Sequence, residues 1–374
     1  MGTITQEIKK RVSKKPKFYS LDKILEFNAQ YNVIFGERSN GKTYAVLHLG
    51  LKNYIETGKQ LAIVRRWQDD FKGKRGATMF DALLANGVIT DLSGGKWNGI
   101  TYQSYRWFLC RFNDDGTKET DPQPFAYAFA ISAMEHDKST SYPNVTTICF
   151  DEFLTRSLYL PDEFVLFTNI VSTIVRHRDD VKIFMLGNTV NKFSPYFAEM
   201  GLTNVQKMKE GTIDLYTYGE SGLKVAVEYT TNGAGKKQSD VYFAFNNPKL
   251  KMITEGAWEL DIYPHCPHKF RPKDVIFTYF IEFNDNLLQC QVVAVDDLMF
   301  TFITRKTTEL RHPKTDIIFS PEPSARPNWF RRITVTSEPK IKKLYYFFLV
   351  EKVFYQDNEV GDIVDNYIKW CKTI

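Results

Sequence analysis

Residues Gly36-Glu37-Arg38-Ser39-Asn40-Gly41-Lys42-Thr43 satisfy the pattern G-x-x-x-x-G-K-[ST] at every fixed position. Those residue types bind phosphate for definite reasons. Two glycines let the backbone wrap tightly around an anion, and the N–H groups opening the next helix aim the positive end of its dipole inward. Lys42 would reach the β- and γ-phosphates, and the Thr43 hydroxyl would hold Mg2+. A second candidate is Asp151-Glu152, which closes the apolar run Val145-Thr-Thr-Ile-Cys-Phe150. A buried parallel strand delivers such acids to the carboxyl edge of the sheet, beside the phosphate loop. Asp151 would complete the Mg2+ shell and Glu152 would orient and polarise an attacking water.

Two further groups stand at element ends. Arg176-His177-Arg178 follows an apolar helical pattern of Phe164, Phe167, Ile170, Val171, Ile174 and Val175. Cations there suit the helix dipole; in a ring of such domains Arg176 could instead face a neighbour's nucleotide and stabilise charge on the transferred phosphoryl group. Asn188 follows the apolar Lys182 to Leu186 run, either as a turn former or as a hydrogen-bonding partner of the γ-phosphate or the water.

These residues need a strand, loop and helix to hold them. Tyr31 to Phe35 is short, apolar and β-prone; Tyr44 to Tyr54 places Leu47, Leu51 and Tyr54 on one helical face, and Gly58 ends that helix. Gln60 to Val64 reads as a second strand ending in Arg65-Arg66-Trp67. Basic residues recur at Lys72, Lys74 and Arg75, a solvated loop or one that touches DNA phosphates together with Arg66. Phe80 to Asn86 reads as a helix. Ile100 to Phe112 alternates like one strand, Asn113-Asp114-Asp115-Gly116 is a hairpin turn and Phe125 to Ala130 returns, an antiparallel insertion within the nucleotide domain. Pro161-Asp162-Glu163 reads as a helix start with its acids near the dipole. Leu215 to Tyr218 and Leu223 to Tyr229 complete the set.

The expected division is a basic arm at 1–20, a phosphate-loop domain at 21–229, a linker at 230–260 marked by Thr230 to Ser239, and a β-rich domain at 261–374. In that last part Val275 to Phe283, Leu287 to Val295 and Met299 to Thr304 form a meander, Leu344 to Phe354 is an apolar run and Ile363 to Cys371 a closing helix. His265-Cys266-Pro267-His268 lacks the paired spacing of a zinc site. The basic section from Arg326 to Lys343 is a solvated face or a docking patch.

Composition narrows the function classes. The 374 residues are 43% hydrophobic and contain no apolar run long enough to span a bilayer, so no membrane partner is expected. Five cysteines without a C-x-x-C read as reduced thiols of an intracellular protein. Six Lys and Arg against one Glu in the first twenty residues account for the whole net charge of +5. The rest is formally neutral, so any nucleic-acid contact by the folded part must come from a local patch.

Taken together, the phosphate loop, Phe150-Asp151-Glu152-Phe153 and the lead-in Tyr142-Pro143-Asn144-Val145 resemble the genome-packaging ATPases of small protein-primed tailed phages. Val64-Arg65-Arg66, Arg176-x-Arg178, Asn188 and Ser194-Pro195-Tyr196-Phe197 fit the same family, over about Phe18 to Phe197. The resemblance implies an ASCE-type, RecA-like α/β sheet with helices on both faces, followed by a smaller β-rich domain of RNase H-like form without an active site. It implies a homomeric, pentameric ring at the portal vertex of a procapsid in the host cytoplasm, moving double-stranded DNA inward on ATP and Mg2+. By the same likeness Arg38 would touch phosphate from within the subunit, Lys138 would reach across the interface, and Lys72 and Lys74 would line the pore. The alternatives are a terminase that also cuts DNA and a nucleotide-binding docking module without motor activity. Against cutting, Glu282, Asp285, Asp296 and Asp297 do not form an obvious two-metal cluster.

Overall fold

The computed structural model describes residues 19–38, 40–136, 140–155, 158–189, 193–219, 221–231, 263–335 and 337–373. The chain divides into two compact units, Met1–Arg156 with Asp162–Trp258, and Glu259–Ile374 with Ser157–Pro161. Ser39 and Lys138, the arm to residue 18 and nearly all of the expected linker lie outside the described residues.

In the first unit the apolar run before the phosphate loop is β1 (Tyr31–Gly36), and α1 (Lys42–Thr57) follows. Gly58 closes α1 with φ 73°, donating its N–H to the Tyr54 carbonyl. Then come β2 (Gln60–Arg65), β3 (Gly99–Gln103), β4 (Arg106–Phe112), β5 (Lys118–Thr120), β6 (Ala126–Ala130), β7 (Val145–Asp151), α2 (Glu163–Val175), β8 (Lys182–Asn188), β9 (Thr212–Tyr218) and β10 (Leu223–Tyr229). Among the described residues one ten-stranded sheet has the order β3-β4-β6-β2-β7-β8-β1-β10-β9, with β5 on β4. The run from β6 to β10 is parallel, and β8 lies between the loop strand β1 and the acidic strand β7.

Strands buried on both faces are nearly continuous in apolar residues, and alternation decides which helix each residue meets. Ile34, Cys149 and Phe184 join Val46, Leu47 and Leu51 of α1 in one core. On the opposite face Phe150 stacks on Phe167 of α2 at 4.8 Å and meets the edge of Tyr196 at 5.4 Å. Fully burying each such aromatic contributes about 1.5–3 kcal/mol.

One expectation about the insertion is corrected. Ile100 to Phe112 is not one strand: β3 and β4 form a hairpin whose turn, Ser104-Tyr105, has both φ angles positive, 49° and 61°. That conformation usually calls on Asn or Gly, so Ser-Tyr gave no turn signal. The insertion joins the nucleotide sheet itself, because β6 pairs parallel with β2 and antiparallel with β4 and so carries the sheet onward. The hairpin also fastens the basic loop after β2. Tyr102 donates to the Phe71 carbonyl at 2.7 Å and Trp107 Nε1 to that of Gly76 at 2.9 Å.

The second unit holds a sheet ordered β15-β14-β11-β12-β13-β16 among its described residues. Its meander is β11 (Val275–Phe283), β12 (Asn286–Val295) and β13 (Leu298–Arg305). The short strands β14 (Ile318–Phe319), β15 (Trp329–Phe330) and β16 (Val353–Tyr355) add on in parallel. The apolar run from Leu344 splits between α3 (Pro339–Leu349) and β16, and α4 (Asn358–Thr373) covers β11, β13 and β16. Val360, Ile363, Val364, Tyr367 and Cys371 recur at helical spacing and are buried. Among the described residues no helix is long and apolar enough to cross a membrane.

Candidate functional site

Parallel pairing fixes where the chemistry collects. Gly36 lies beside Asn188, Asp151 beside Leu186 and Val64 beside Phe150, so the ends of β1, β8, β7 and β2 emerge together at the carboxyl edge. A cleft of about 550 Å³ opens there, lined by Arg38, Lys42, Thr43, Asp151, Glu152 and Asn188 among others. The structure thus brings together six residues that the sequence singled out separately. Arg65 and Arg75 line the same cleft, so four cations face two carboxylates among the described residues. That balance suits a polyphosphate anion.

The loop is built for backbone contact. Gly41, the residue before α1, has φ 99°, which side-chain-bearing residues rarely adopt. The first turn of α1 contains no acid, so nothing of its own offsets the positive end of the dipole. At Gly36 any Cβ would lie 2.0 Å from Thr230 Oγ1, and that hydroxyl accepts from Asn40 Nδ2 at 2.9 Å. Lys42 is 5% exposed. Its ammonium donates to the Glu37 carbonyl at 2.7 Å and to Asn40 Oδ1 at 3.2 Å, which holds the charge at the mouth of the loop.

Thr43 Oγ1 donates to Asp151 Oδ1 at 2.8 Å, so the hydroxyl and carboxylate expected to share a metal do meet. Two hard oxygen donors of this kind fit Mg2+. The other carboxylate oxygen, Oδ2, accepts from Arg65 Nη2 at 2.5 Å. Burial works against the Arg65 charge, but the Asp151 carboxylate beside it outweighs that and holds the guanidinium protonated. Sequence reasoning did not find Arg65's partner, because it depends on β2 and β7 being neighbours in the sheet. Burial also pushes the Cys149 thiol well up, which removes it as a nucleophile.

Glu152 is exposed to the cleft and its backbone has φ 61°. A left-handed conformation at a non-glycine residue costs about 1–3 kcal/mol and persists only when the surroundings impose it.

Arg66 is corrected. It is 7% exposed and cannot reach a DNA phosphate. Its Nε and Nη2 donate to the two carboxylate oxygens of Glu163 at 2.7 and 2.8 Å. Glu163, expected at a helix start with its charge near the dipole, does open α2; it is 2% exposed, and its carboxylate pairs with Arg66. Of the other candidate DNA contacts, Lys72 and Lys74 are exposed, and Lys72 is 2.7 Å from Asp69 Oδ1.

Arg176 is exposed and donates to the Thr140 carbonyl at 3.1 Å, whereas Arg178 binds the carbonyls of Tyr142, Val145 and Ile174. Arg178 therefore braces the fold of its own chain. Both stand near the start of β7, roughly 20 Å from Asp151 at its end. Arg176 does not reach the cleft of its own chain.

In the second unit Glu282 and Asp285 lie at the β11–β12 turn, and Asp296 and Asp297 at the far end of the ten-residue β12. Roughly 30 Å separates them. Among the described residues no three His, Cys, Asp or Glu are grouped to hold a metal.

Against this geometry stand the likenesses to known proteins. Residues 120–217 match the family Podovirus DNA encapsidation protein (Gp16), a stretch that includes Asp151, Glu152, Arg176 and Asn188. The chain is 28% identical over 186 residues to the DNA packaging protein of Bacillus phage phi29, 49% of this chain and 50% of that protein. With that of Bacillus phage B103 it shares 29% over 182 residues, 48% and 50% of the two chains. The aligned region thus spans about half the length of these curated relatives. In fold it is similar to a chain of the bacteriophage Phi-29 viral genome packaging motor assembly, with TM-score 0.55 and 18% identity over 96% of this chain and 100% of the other. The Phi-28 gp11 DNA packaging motor gives TM-score 0.54 and 17% identity over 95% and 98%.

Proposed function

We infer that the chain is an ATP hydrolase that drives double-stranded DNA into a preformed viral capsid. The observation that carries this reading is the convergence of Lys42, Thr43, Asp151 and Glu152 on one cleft. The likeness of its sequence to phage DNA packaging proteins supports the biological setting. The placement of β8 between β1 and β7 supports an ASCE-type arrangement, in which Glu152 orients water and Asn188 contacts the γ-phosphate or that water. Thr43 and Asp151 would hold Mg2+, which when bound would supply Lewis-acid withdrawal of charge from the phosphate oxygens. Lys42, Arg38 and the first N–H groups of α1 hold the triphosphate against the loop. Arg65 keeps Asp151 turned toward Thr43.

The working unit is a homomeric ring, pentameric by analogy, docked on the portal protein of a procapsid in the host cytoplasm. In it Arg176 serves the neighbour's cleft, since it does not reach its own, and Lys138 reaches across the same interface. The ATPase domain comprises 21–229, with the arm at 1–20, the linker at 230–260 and the second domain at 261–374 handling DNA or docking. In the short helix Lys74–Ala77 both Lys74 and Arg75 are exposed, and Arg75 also lines the cleft. Lys72 and Lys74 are the DNA contacts, and Arg75 links them to the nucleotide. The separation of the acids in the second unit favours the motor over a terminase that cuts DNA.

The test is phosphate release by the purified chain. Turnover should require Mg2+, stop on adding EDTA and rise several-fold with double-stranded DNA. Turnover that is absent with procapsids, DNA and Mg2+ all present would leave the docking-module reading in its place.

A further inference from the structure

We propose that Arg66 is the positioning residue for Glu152, acting through the backbone and never touching the reacting groups. The proposal rests on the role given to Glu152 above. Arg65 and Arg66 are adjacent but face opposite ways: Arg65 lines the cleft, and Arg66 is buried against α2. The Arg66 guanidinium donates to two successive carbonyls, Glu152 O through Nη1 at 3.4 Å and Phe153 O through Nη2 at 2.8 Å. The same group is anchored by both oxygens of Glu163, and Glu163 Oε1 also accepts from Tyr196 at 2.8 Å. From the sheet side the Phe153 N–H donates to the Leu186 carbonyl at 3.1 Å. The turn that carries Glu152 is thus gripped from two directions at the point where its backbone has φ 61°.

Two arguments make this a functional clamp. A buried ion pair is a poor source of stability, since apolar residues of similar volume usually do as well. What it supplies is a fixed geometry, and a planar five-donor fork can span two carbonyls and a carboxylate where an ammonium cannot. The left-handed turn also needs an outside grip to persist, and Arg66 reaches both of its carbonyls. Its effect on catalysis is leverage: a shift of about 1 Å in a positioned group can cost on the order of 100-fold in rate.

Arg66→Lys tests this, because it keeps the charge opposite Glu163 and removes the fork. The readouts are steady-state ATP turnover, affinity for a fluorescent ATP analogue with Mg2+, thermal unfolding, and single-turnover hydrolysis in a Glu152→Gln background. The expected result is kcat lower by roughly 10- to 100-fold with KM and analogue affinity within about 3-fold. In the Glu152→Gln background the same substitution should cost almost nothing more, since residues acting as a unit are not additive. A folded Arg66→Lys protein with normal kcat overturns the proposal, as does a loss that multiplies that of Glu152→Gln. If Arg66→Lys does not fold, Tyr196→Phe takes its place: a several-fold fall in kcat at unchanged analogue affinity supports the clamp, and unchanged kcat overturns it. Normal turnover by Glu152→Gln alone would instead remove the assignment of Glu152 on which the proposal stands.

Discussion

Glu152→Gln should lower ATP turnover by about 10²- to 10⁴-fold while nucleotide affinity stays near that of the unchanged chain. The reason lies in how the cleft divides its work. The groups proposed to hold phosphate and metal are Lys42, Thr43, Asp151 and the start of α1; Lys42 donates to Glu37 and Asn40 and Thr43 to Asp151, in hydrogen bonds in which the Glu152 side chain takes no part. Glu152 faces the open cleft at the end of a strained turn, where a carboxylate can accept a proton from water. Gln keeps the shape and loses the basicity, so chemistry should suffer and binding should not. Stopped-flow binding of a fluorescent ATP analogue together with phosphate release separates the two. A loss of affinity equal to the loss of rate would place Glu152 among the binding groups instead.

The second large effect is expected at Arg176. Its replacement by Ala should reduce turnover in assembled rings by about 10³-fold or more, about 4 kcal/mol of transition-state stabilisation. Binding to isolated subunits should be unaffected. The expectation comes from position: Arg176 is exposed at the edge of the sheet opposite its own cleft, whereas Arg178 is tied to three carbonyls of its own subunit. Mixing Arg176→Ala with Glu152→Gln chains gives the sharper readout. If one chain supplies the arginine and its neighbour the carboxylate, some interfaces in a mixed ring carry both intact groups and turnover recovers in part. Mixtures no more active than either parent would show that a site is not shared in this way.

Much of this was legible in the sequence because the relevant signals are local. The loop pattern, the apolar run before Asp151 and the α1 face of Leu47 and Leu51 each require only neighbours along the chain, and the structure returns all three. What could not be read depends on which strands lie side by side. Arg65 and Arg66 are indistinguishable as a basic pair after an apolar strand, and composition placed Arg66 with the DNA-contacting loop. Only the adjacency of β2 to β7 and the packing of α2 against the sheet assign one to Asp151 and the other to Glu163. Glu163 carried the ordinary signature of a helix start, and α2 does begin there; what that local signature could not show is its pairing with Arg66. The Ser104-Tyr105 turn escaped notice because neither residue type favours a positive φ. Arg75 was grouped with Lys72 and Lys74 by charge, and the tethering of its loop by Trp107 and Tyr102 accompanies its place at the cleft.

If turnover at the cleft of Lys42 and Asp151 powers DNA movement, disabling the cleft must abolish packaging. Procapsids, double-stranded DNA, ATP and Mg2+ are incubated with either the unchanged chain or Lys42→Ala, and the DNA that survives added nuclease is weighed. Genome-length protected DNA is expected with the former and none above background with the latter, although Lys42→Ala still associates with procapsids. Equal protection by both chains would contradict that expectation.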